Sequence, residues 1–536
     1  MRLSLLTTTT AAAAAIAATG ALAQESYTLH ILHINDLHSR LEPISRFNST
    51  CSAEDDAAGE CFGGAARLKT LIDQKRAELE GENLLVLDAG DQFQGSLMFT
   101  TYDGAAEGEM MEAIGFDAMA LGNHEFNLGP SPLAEFVDML SYPVVGGSLD
   151  LSRSDELGGK VEGAIVLERG GERIGIVSAL ASDTAELSSP GPNVIFKDEI
   201  DSVAAQVDEL TDDGVDKIIA LTHVGLPDDE RIAAAVPGVD AIVGGHSHTY
   251  LSATDPDRDG AYPTFVSQDD GTMVPIVQAG AFSKYLGHLV LTFDAEGNVI
   301  DATGDTILVG PDIAKDAALD ARIQELAGPI EEMRSEVVAE TTQPIDGERS
   351  SCRAMECEMG NLVADAMLDR VADQGITIAI QNGGGLRASI DSGEVTMGEV
   401  LTVLPFQNTL ATFQLKGSDV VAALENGVSQ VEDGAGRFPQ VAGLTFTWDP
   451  SAEPGNRVTE VMVAEGDGFV PIDPEATYGV VSNNFMRRGG DGYGMFATGG
   501  MNAYDYGPGL ELVVAEYLAN QAPYTPFTEG RISTAE

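Results

Sequence analysis

Positive charge is scarce in this chain: 29 lysines and arginines stand against 85 aspartates and glutamates, a formal net charge of −56 over 536 residues. A field of that sign repels polyanions, so nucleic acid polymers and anionic lipid surfaces are poor partners. A small anionic substrate can bind only where cations or clustered arginines reverse the field locally. The acidic excess suits a saline habitat or a simply solubilising surface equally well. Long apolar runs are also missing beyond the N-terminus, and the polar end Arg531-Ile532-Ser533-Thr534-Ala535-Glu536 carries no glycolipid-anchor tail. No internal repeat or low-complexity tract follows the N-terminal segment. Cysteine is rare, with 4 residues, and so is histidine, with 8.

The one apolar run begins after Arg2, is rich in threonine and alanine, and closes on the small-x-small site Ala21-Leu22-Ala23. It is short for a bilayer span, so residues 1–23 read as a signal peptide, with export to a bacterial periplasm or the medium and no membrane insertion after cleavage. An oxidising compartment makes disulfides the expected state of the cysteines rather than catalytic or metal-binding thiols. Three pairings exist in principle. Closeness in sequence favours Cys51 with Cys61 and Cys352 with Cys357.

What is present supports a large core: 43% of residues are hydrophobic and 21% charged, and the length suits two folding units. From Tyr27 to about Leu308, short runs of Ile, Val and Leu alternate with amphipathic stretches, the pattern of an α/β layered domain. Strand-like runs fall at 28–34, 84–87, 118–121, 217–221 and 240–243. Leu68, Leu71, Ile72 and Leu79 lie at helical spacing, as do Leu133, Phe136 and Leu140. Leu319, Ile323, Leu326, Ile330, Met333 and Val337 predict one helix over 316–338 that crosses between the units. Mixed α and β character resumes from about Gln343, with a helix at 359–371 and a strand at 376–380.

Each strand-like run of the first unit ends on a candidate metal ligand. Asp36-Leu37-His38 follows the first, Gly90-Asp91 the second, Gly122-Asn123-His124 the third, His223 the fourth and His246-Ser247-His248 the fifth. Ligands gather at strand carboxyl ends in open α/β sheets. A lone buried histidine is usually a hydrogen-bonded core residue, and an aspartate after a strand often caps a helix. Six of the eight histidines, all but His30 and His288, crowd these five places or the adjoining strand, which chance does not explain. His33, inside the first run, reads as structural. An aspartate and histidine set suits two borderline divalent cations that share a carboxylate, lower the pKa of a water and clamp a phosphate for in-line attack.

The motifs Asn35-Asp36-Leu37-His38-Ser39-Arg40, Asp88-Ala89-Gly90-Asp91-Gln92, Gly122-Asn123-His124-Glu125-Phe126, Thr222-His223 and Gly244-Gly245-His246-Ser247-His248, in this order, resemble the 5'-nucleotidases of the calcineurin-like metallophosphoesterase superfamily. The likeness spans essentially the whole mature chain. It implies a four-layer α/β/β/α metallophosphoesterase domain over 24–315, a linker helix over 316–340 and a mixed α/β substrate-binding domain over 341–536, with catalysis between them. By resemblance, one cation takes Asp36, His38, Asp91 and His248, and the other takes Asp91, Asn123, His223 and His246. Zinc is expected, with manganese or cobalt also suitable. His124 would stabilise charge on the phosphoryl oxygens while a metal-activated hydroxide attacks a nucleoside 5'-monophosphate.

One position departs from the family pattern, which continues after Phe126 with an aspartate paired to the catalytic histidine. Asn127 stands here, as in related 2',3'-cyclic-nucleotide phosphodiesterases with 3'-nucleotidase activity. That activity, UDP-sugar pyrophosphohydrolysis and non-catalytic nucleotide binding are the alternatives. In the second unit, Arg353 between Cys352 and Cys357, the loop Asn382-Gly383-Gly384-Gly385-Leu386-Arg387, Phe406 after Leu404-Pro405, and Asn484-Phe485 through Asp491 resemble the nucleotidase substrate domain. The resemblance implies that Phe406 and Phe485 sandwich a base, Arg353 and Arg387 hold phosphate with Asn382 beside them, and Asp491 accepts from ribose hydroxyls. A glycine triplet is ordinarily a turn and two distant phenylalanines are ordinarily core, so sequence order rather than composition carries these assignments. A small-molecule nucleotide is the expected partner, and the chain is expected to be a monomer or weak homodimer.

Overall fold

In the computed structural model, residues 26–535 are described apart from 46, 47, 49, 50, 52, 183, 407, 467 and 506. The segment read as a signal peptide lies outside the described residues.

Two six-stranded sheets stack to form the first unit. One runs in the order Val299–Leu308, Tyr285–Phe293, Tyr27–Ile34, Leu84–Asp88, Ala118–Ala120, Val144–Val145; the other runs Thr264–Ser267, Met273–Val277, Ala241–Val243, Ile218–His223, Glu172–Leu180, Ile165–Arg169. The strands that end on candidate ligands pair in parallel within each sheet, so their carboxyl ends share one edge. Leu29, Ile31, Leu85 and Leu87 of the first sheet pack on Ile176, Ile219, Leu221 and Val243 of the second. The outer faces are covered by helices: Ala65–Glu78, Ala105–Ile114 and Pro130–Met139 on one, Glu199–Asp212 and Leu226–Ala235 on the other. Strands buried on both faces read as continuous apolar runs, which is the pattern in the sequence. Helix, sheet, sheet and helix make the four layers the resemblance implies.

The predicted crossing helix is Ala317–Arg334. Asp316 caps it by accepting from the N–H groups of Ala318 and Leu319 at 3.1 and 2.9 Å, and Leu319, Ile323, Leu326 and Ile330 face the first unit's core. It stops short of 338: Val337 opens the strand Val337–Thr341, paired antiparallel with Gly393–Thr396. Val337 lies four residues beyond Met333, so side-chain spacing alone cannot separate a last helical turn from the first residue of a strand.

The second unit is built on a five-stranded sheet, Pro439–Ala442, Ile378–Asn382, Thr477–Asn483, Leu410–Lys416, Met501–Tyr504. Glu358–Arg370 and Leu510–Asn520 pack on one face, Gly417–Gly427 on the other, and a four-stranded sheet around Trp448 closes that second core. Both disulfides are the local ones, Cys51–Cys61 and Cys352–Cys357. His33 is structural as expected, fully buried with Nε2 at 2.9 Å from the Tyr262 hydroxyl. No helix among the described residues is long and apolar enough to cross a membrane.

Candidate active site

Where the strands of the two sheets end, the chain turns abruptly. Asp36, His38, Asp91, His246 and His248 all adopt positive φ, between 51° and 73°. For residues with a Cβ the left-handed region costs roughly 1–2 kcal/mol each, and such strain concentrates where function over-determines the backbone. Two glycines let these turns approach each other. A Cβ on Gly122 would collide with the Asp91 carboxylate, and one on Gly245 would lie 2.8 Å from His223 Nδ1.

The turned side chains converge. His248 Nε2 lies 3.2 Å from Asp36 Oδ1 and 2.9 Å from His38 Nε2, which in turn is 3.8 Å from both Asp36 and Asp91. On the other side of Asp91, His223 Nε2 is 3.1 Å from its Oδ2, and His246 Nδ1 meets Asn123 Oδ1 at 2.8 Å. Asp36, His38 and His248 form one group able to hold a cation, and Asp91, His223 and His246 form another. His38 Nδ1 faces the Phe93 carbonyl at 3.2 Å and His223 Nδ1 faces the Ala89 carbonyl at 2.6 Å, each directing its Nε2 inward. His223 Nε2 is buried, with the Asp91 carboxylate beside it and Asp36 Oδ1 at 3.9 Å. An imidazole nitrogen so placed between carboxylates fits a cation.

Electrostatics points the same way. Burial alone would raise the carboxyls of Asp36 and Asp91, yet the surrounding imidazoles hold both below the usual carboxylate range. Burial opposes charge on His223 as well, but Asp91 and Asp36 raise it to about 10, whereas burial takes His246 down to about 3. Two carboxylates favoured in their charged form at the bottom of the cradle call for positive charge beside them, which a cation would supply.

His124 converges with His38 and Asp91 in a third such group, with Nε2 4.0 Å from Asp91 and Nδ1 2.6 Å from Asn127 Oδ1. Burial lowers its pKa, against which Asp91 and Asn127 act, and the charge of Arg488 lowers it further. The Asn127 amide nitrogen donates to Ser188 Oγ at 3.3 Å, which fixes its carbonyl oxygen toward the imidazole.

Above this cradle opens a cleft of about 1030 Å³ between the two units. His38, His124 and His248 line one wall, and Arg353, Asn382, Arg387, Phe406, Phe485 and Asp491 all line the other. Asp36, Asp91, Asn123 and His223 lie buried beneath. Asn382 donates to Asp491 Oδ2 at 2.7 Å, and the Arg387 guanidinium lies 5.4 Å from the Phe406 ring centre. Sequence reasoning missed Arg40, Gln94 and Arg488, which line the same cleft. A consecutive Arg487-Arg488 pair between Phe485 and Asp491, in a chain so poor in basic residues, was the available signal. In the acidic loop Asp255-Pro256-Asp257-Arg258-Asp259-Gly260, Asp255 accepts from the Asp257 N–H and the Tyr250 hydroxyl, at 2.9 and 2.8 Å, and Asp259 lines the cleft.

Comparison with known proteins agrees with this geometry. Residues 29–250 match the calcineurin-like phosphoesterase family, and residues 337–498 match the 5'-nucleotidase C-terminal domain. The chain is 39% identical to a human 5'-nucleotidase, covering 96% of this chain and 93% of that one, and 37% identical to a snake venom 5'-nucleotidase of Naja atra, covering 95% and 98%. Among solved structures it resembles a 5'-nucleotidase precursor of Thermus thermophilus (42% identity, TM-score 0.64, 95% of this chain and 99% of that one). It also resembles an NAD nucleotidase of Haemophilus influenzae (26% identity, TM-score 0.71, 96% and 100%). The phosphoesterase match implies divalent metal ions, for which the converging carboxylates and imidazoles are suitable donors. The chain belongs to the 5'-nucleotidase family of calcineurin-like phosphoesterases.

Proposed function

We propose that this enzyme hydrolyses nucleoside 5'-monophosphates to nucleoside and phosphate. The observation that carries this reading is a single cleft that brings a histidine and carboxylate cradle opposite a wall of arginine, phenylalanine and aspartate. Asp36, His38, Asp91 and His248 would hold one divalent cation and Asp91, Asn123, His223 and His246 the other. The borderline donors suit zinc, with manganese or cobalt as substitutes. When bound, such cations activate water and neutralise phosphoryl charge.

The chain's own residues do the rest. Arg353 and Arg387 meet the phosphate oxygens with guanidinium forks, whose planar geometry matches them. Phe406 and Phe485 offer faces to the base, which every base can stack on. Asp491, already an acceptor for Asn382, accepts from the ribose hydroxyls, and Asn382 keeps it oriented. In-line attack of water on phosphorus forms one P–O bond and breaks the bond to the 5' oxygen, which leaves protonated as nucleoside. His124 directs Nε2 toward the phosphoryl group and stabilises its developing charge. Residues 24–315 would be the catalytic domain, 316–340 the linker and 341–536 the substrate domain. A cleaved signal at 1–23 and the two disulfides suit a periplasmic or secreted monomer or weak dimer.

The test is phosphate release from AMP, 3'-AMP, 2',3'-cyclic AMP and UDP-glucose, with and without added divalent metal. AMP should be preferred and chelation should abolish release. Preference for the cyclic substrate would overturn the reading, and inactivity of metal-loaded protein on all four would make it a binding protein.

A further inference from the structure

Glu125 has no role in the chemistry above, yet it is fully buried among the ligand loops. Its Oε2 accepts from the backbone N–H groups of Asp91 at 3.0 Å and Gly122 at 2.7 Å; its Oε1 accepts from those of Gln92 at 2.7 Å and Phe93 at 3.2 Å. Three successive amides, 91 to 93, therefore point into one carboxylate, and a fourth comes from the neighbouring loop that carries Asn123 and His124. Gly90 and Asp91 are both left-handed, at φ 88° and 59°, the conformation that turns successive N–H groups toward a common anion. A return tie runs the other way, since Asp91 Oδ1 accepts from the His124 N–H at 2.8 Å.

We propose that Glu125 is the positioning residue of the metal cradle, holding the strained Asp91 turn in its ligand-ready conformation before any cation arrives. The inference rests on Asp91 being a metal ligand. Only a carboxylate meets the requirement: four converging donors need four lone pairs on two oxygens, whereas glutamine supplies one oxygen and sets its own N–H groups against two of the amides. Without that acceptor, the Asp91 turn loses what offsets its backbone strain and relaxes, so a cation must reorganise the loop as it binds.

The experiment titrates zinc into metal-stripped full-length enzyme against a chromophoric chelator. Wild type should take two ions. Glu125→Gln should weaken zinc binding by about 10–100-fold, the usual consequence of losing a partner that orients a ligand. Turnover should recover as zinc is raised, with the KM for AMP unmoved. A variant that melts lower but binds zinc with wild-type affinity would overturn the proposal in favour of a plain structural role. Glu125→Asp, which keeps the charge on a shorter arm, should lie between wild type and Glu125→Gln, and wild-type affinity in both variants also overturns it. Hydrogen exchange on metal-free wild type provides a reading that needs no variant. The amides of Asp91, Gln92, Phe93 and Gly122 should be protected without metal, and rapid exchange there would overturn the proposal even if neither variant folds. Asp91→Ala separates the two readings: if it still takes two zinc ions tightly, the assignment of Asp91 fails rather than the role of Glu125.

Discussion

The two walls of the cleft are built to different tolerances. On the metal side, Asp36, Asn123 and His223 have no exposed surface, the backbone is strained at five candidate ligands, and ring nitrogens are aimed by carbonyls at 2.6 and 3.2 Å. On the nucleotide side, Phe485 is 44% exposed and Phe406 only partly buried, and both arginines reach in from loops or short helical turns. Bond making at phosphorus needs donors fixed to a fraction of an ångström, whereas stacking and ion pairing tolerate small displacements. Left-handed backbone occurs at one residue of the nucleotide wall, Asp491, against five candidate ligands, so the chain places most of its strain, and its deepest burial, on the side where displacement would stop the reaction.

If that division holds, damage to the metal wall should strike turnover and damage to the nucleotide wall should strike binding. The largest effect is expected for Asp91→Ala, which removes the carboxylate that would be shared by both cations in the proposed arrangement. Its kcat should fall by more than the ~10²–10³-fold that loss of one charge-stabilising donor costs, with bound metal reduced in elemental analysis. A kcat within tenfold of wild type would erase the contrast between the walls. Next come Arg353→Ala and Arg387→Ala. A hydrogen bond to a charged group is worth about 1.5–3 kcal/mol, so each should raise the KM for AMP by roughly ten- to hundredfold while kcat moves less. Equal falls in kcat and kcat/KM would instead place the arginine in the transition state. Phe485→Ala should be milder, near the lower end of the ~1–3 kcal/mol range for base stacking, because its ring is half open to water. Phe485→Tyr, which keeps the face, should bind AMP as wild type does.

The same asymmetry explains what could be read from the sequence. Histidine and aspartate at the ends of apolar runs are rare enough to be informative, so the first unit's strands, its candidate ligands and its α/β character were legible from residue order, whereas the division of those ligands into two sets came from family likeness. Arginine, phenylalanine and glycine have many other uses, and Arg353, Arg387, Phe406, Phe485 and Asp491 acquired meaning only through family likeness. Two kinds of information were hidden. Backbone strain at Asp36, His38, Asp91, His246 and His248 leaves no compositional trace, because the usual marker of positive φ is glycine and none of these is glycine. Hydrogen bonds to the main chain are equally silent, so Glu125 read as one more motif residue although its carboxylate gathers four amides. Arg487 and Arg488 look alike in sequence and both approach Asp505, yet Arg488 lines the cleft while Arg487 lies over the Phe413 ring.

Asn127 tests the border between the walls, because its side chain reaches the site through the His124 imidazole. Its carbonyl oxygen accepts the Nδ1 proton at 2.6 Å, so Nε2 can donate to a phosphoryl oxygen only when the ring carries its second proton. Burial works against that second proton, and a neutral amide offsets it less than a carboxylate would. Asn127→Asp places a negative charge at the same contact and should raise the His124 pKa. The imidazolium is populated below that pKa and lost as pH rises through it, so the alkaline limb of the kcat profile should move to higher pH while the KM for AMP at neutral pH stays put. The change at neutral pH should be the smallest of the series, because the contact itself is kept. An unchanged profile would show that position 127 orients the ring without setting its charge, and His124 would then belong to the metal wall through its tie to Asp91 alone.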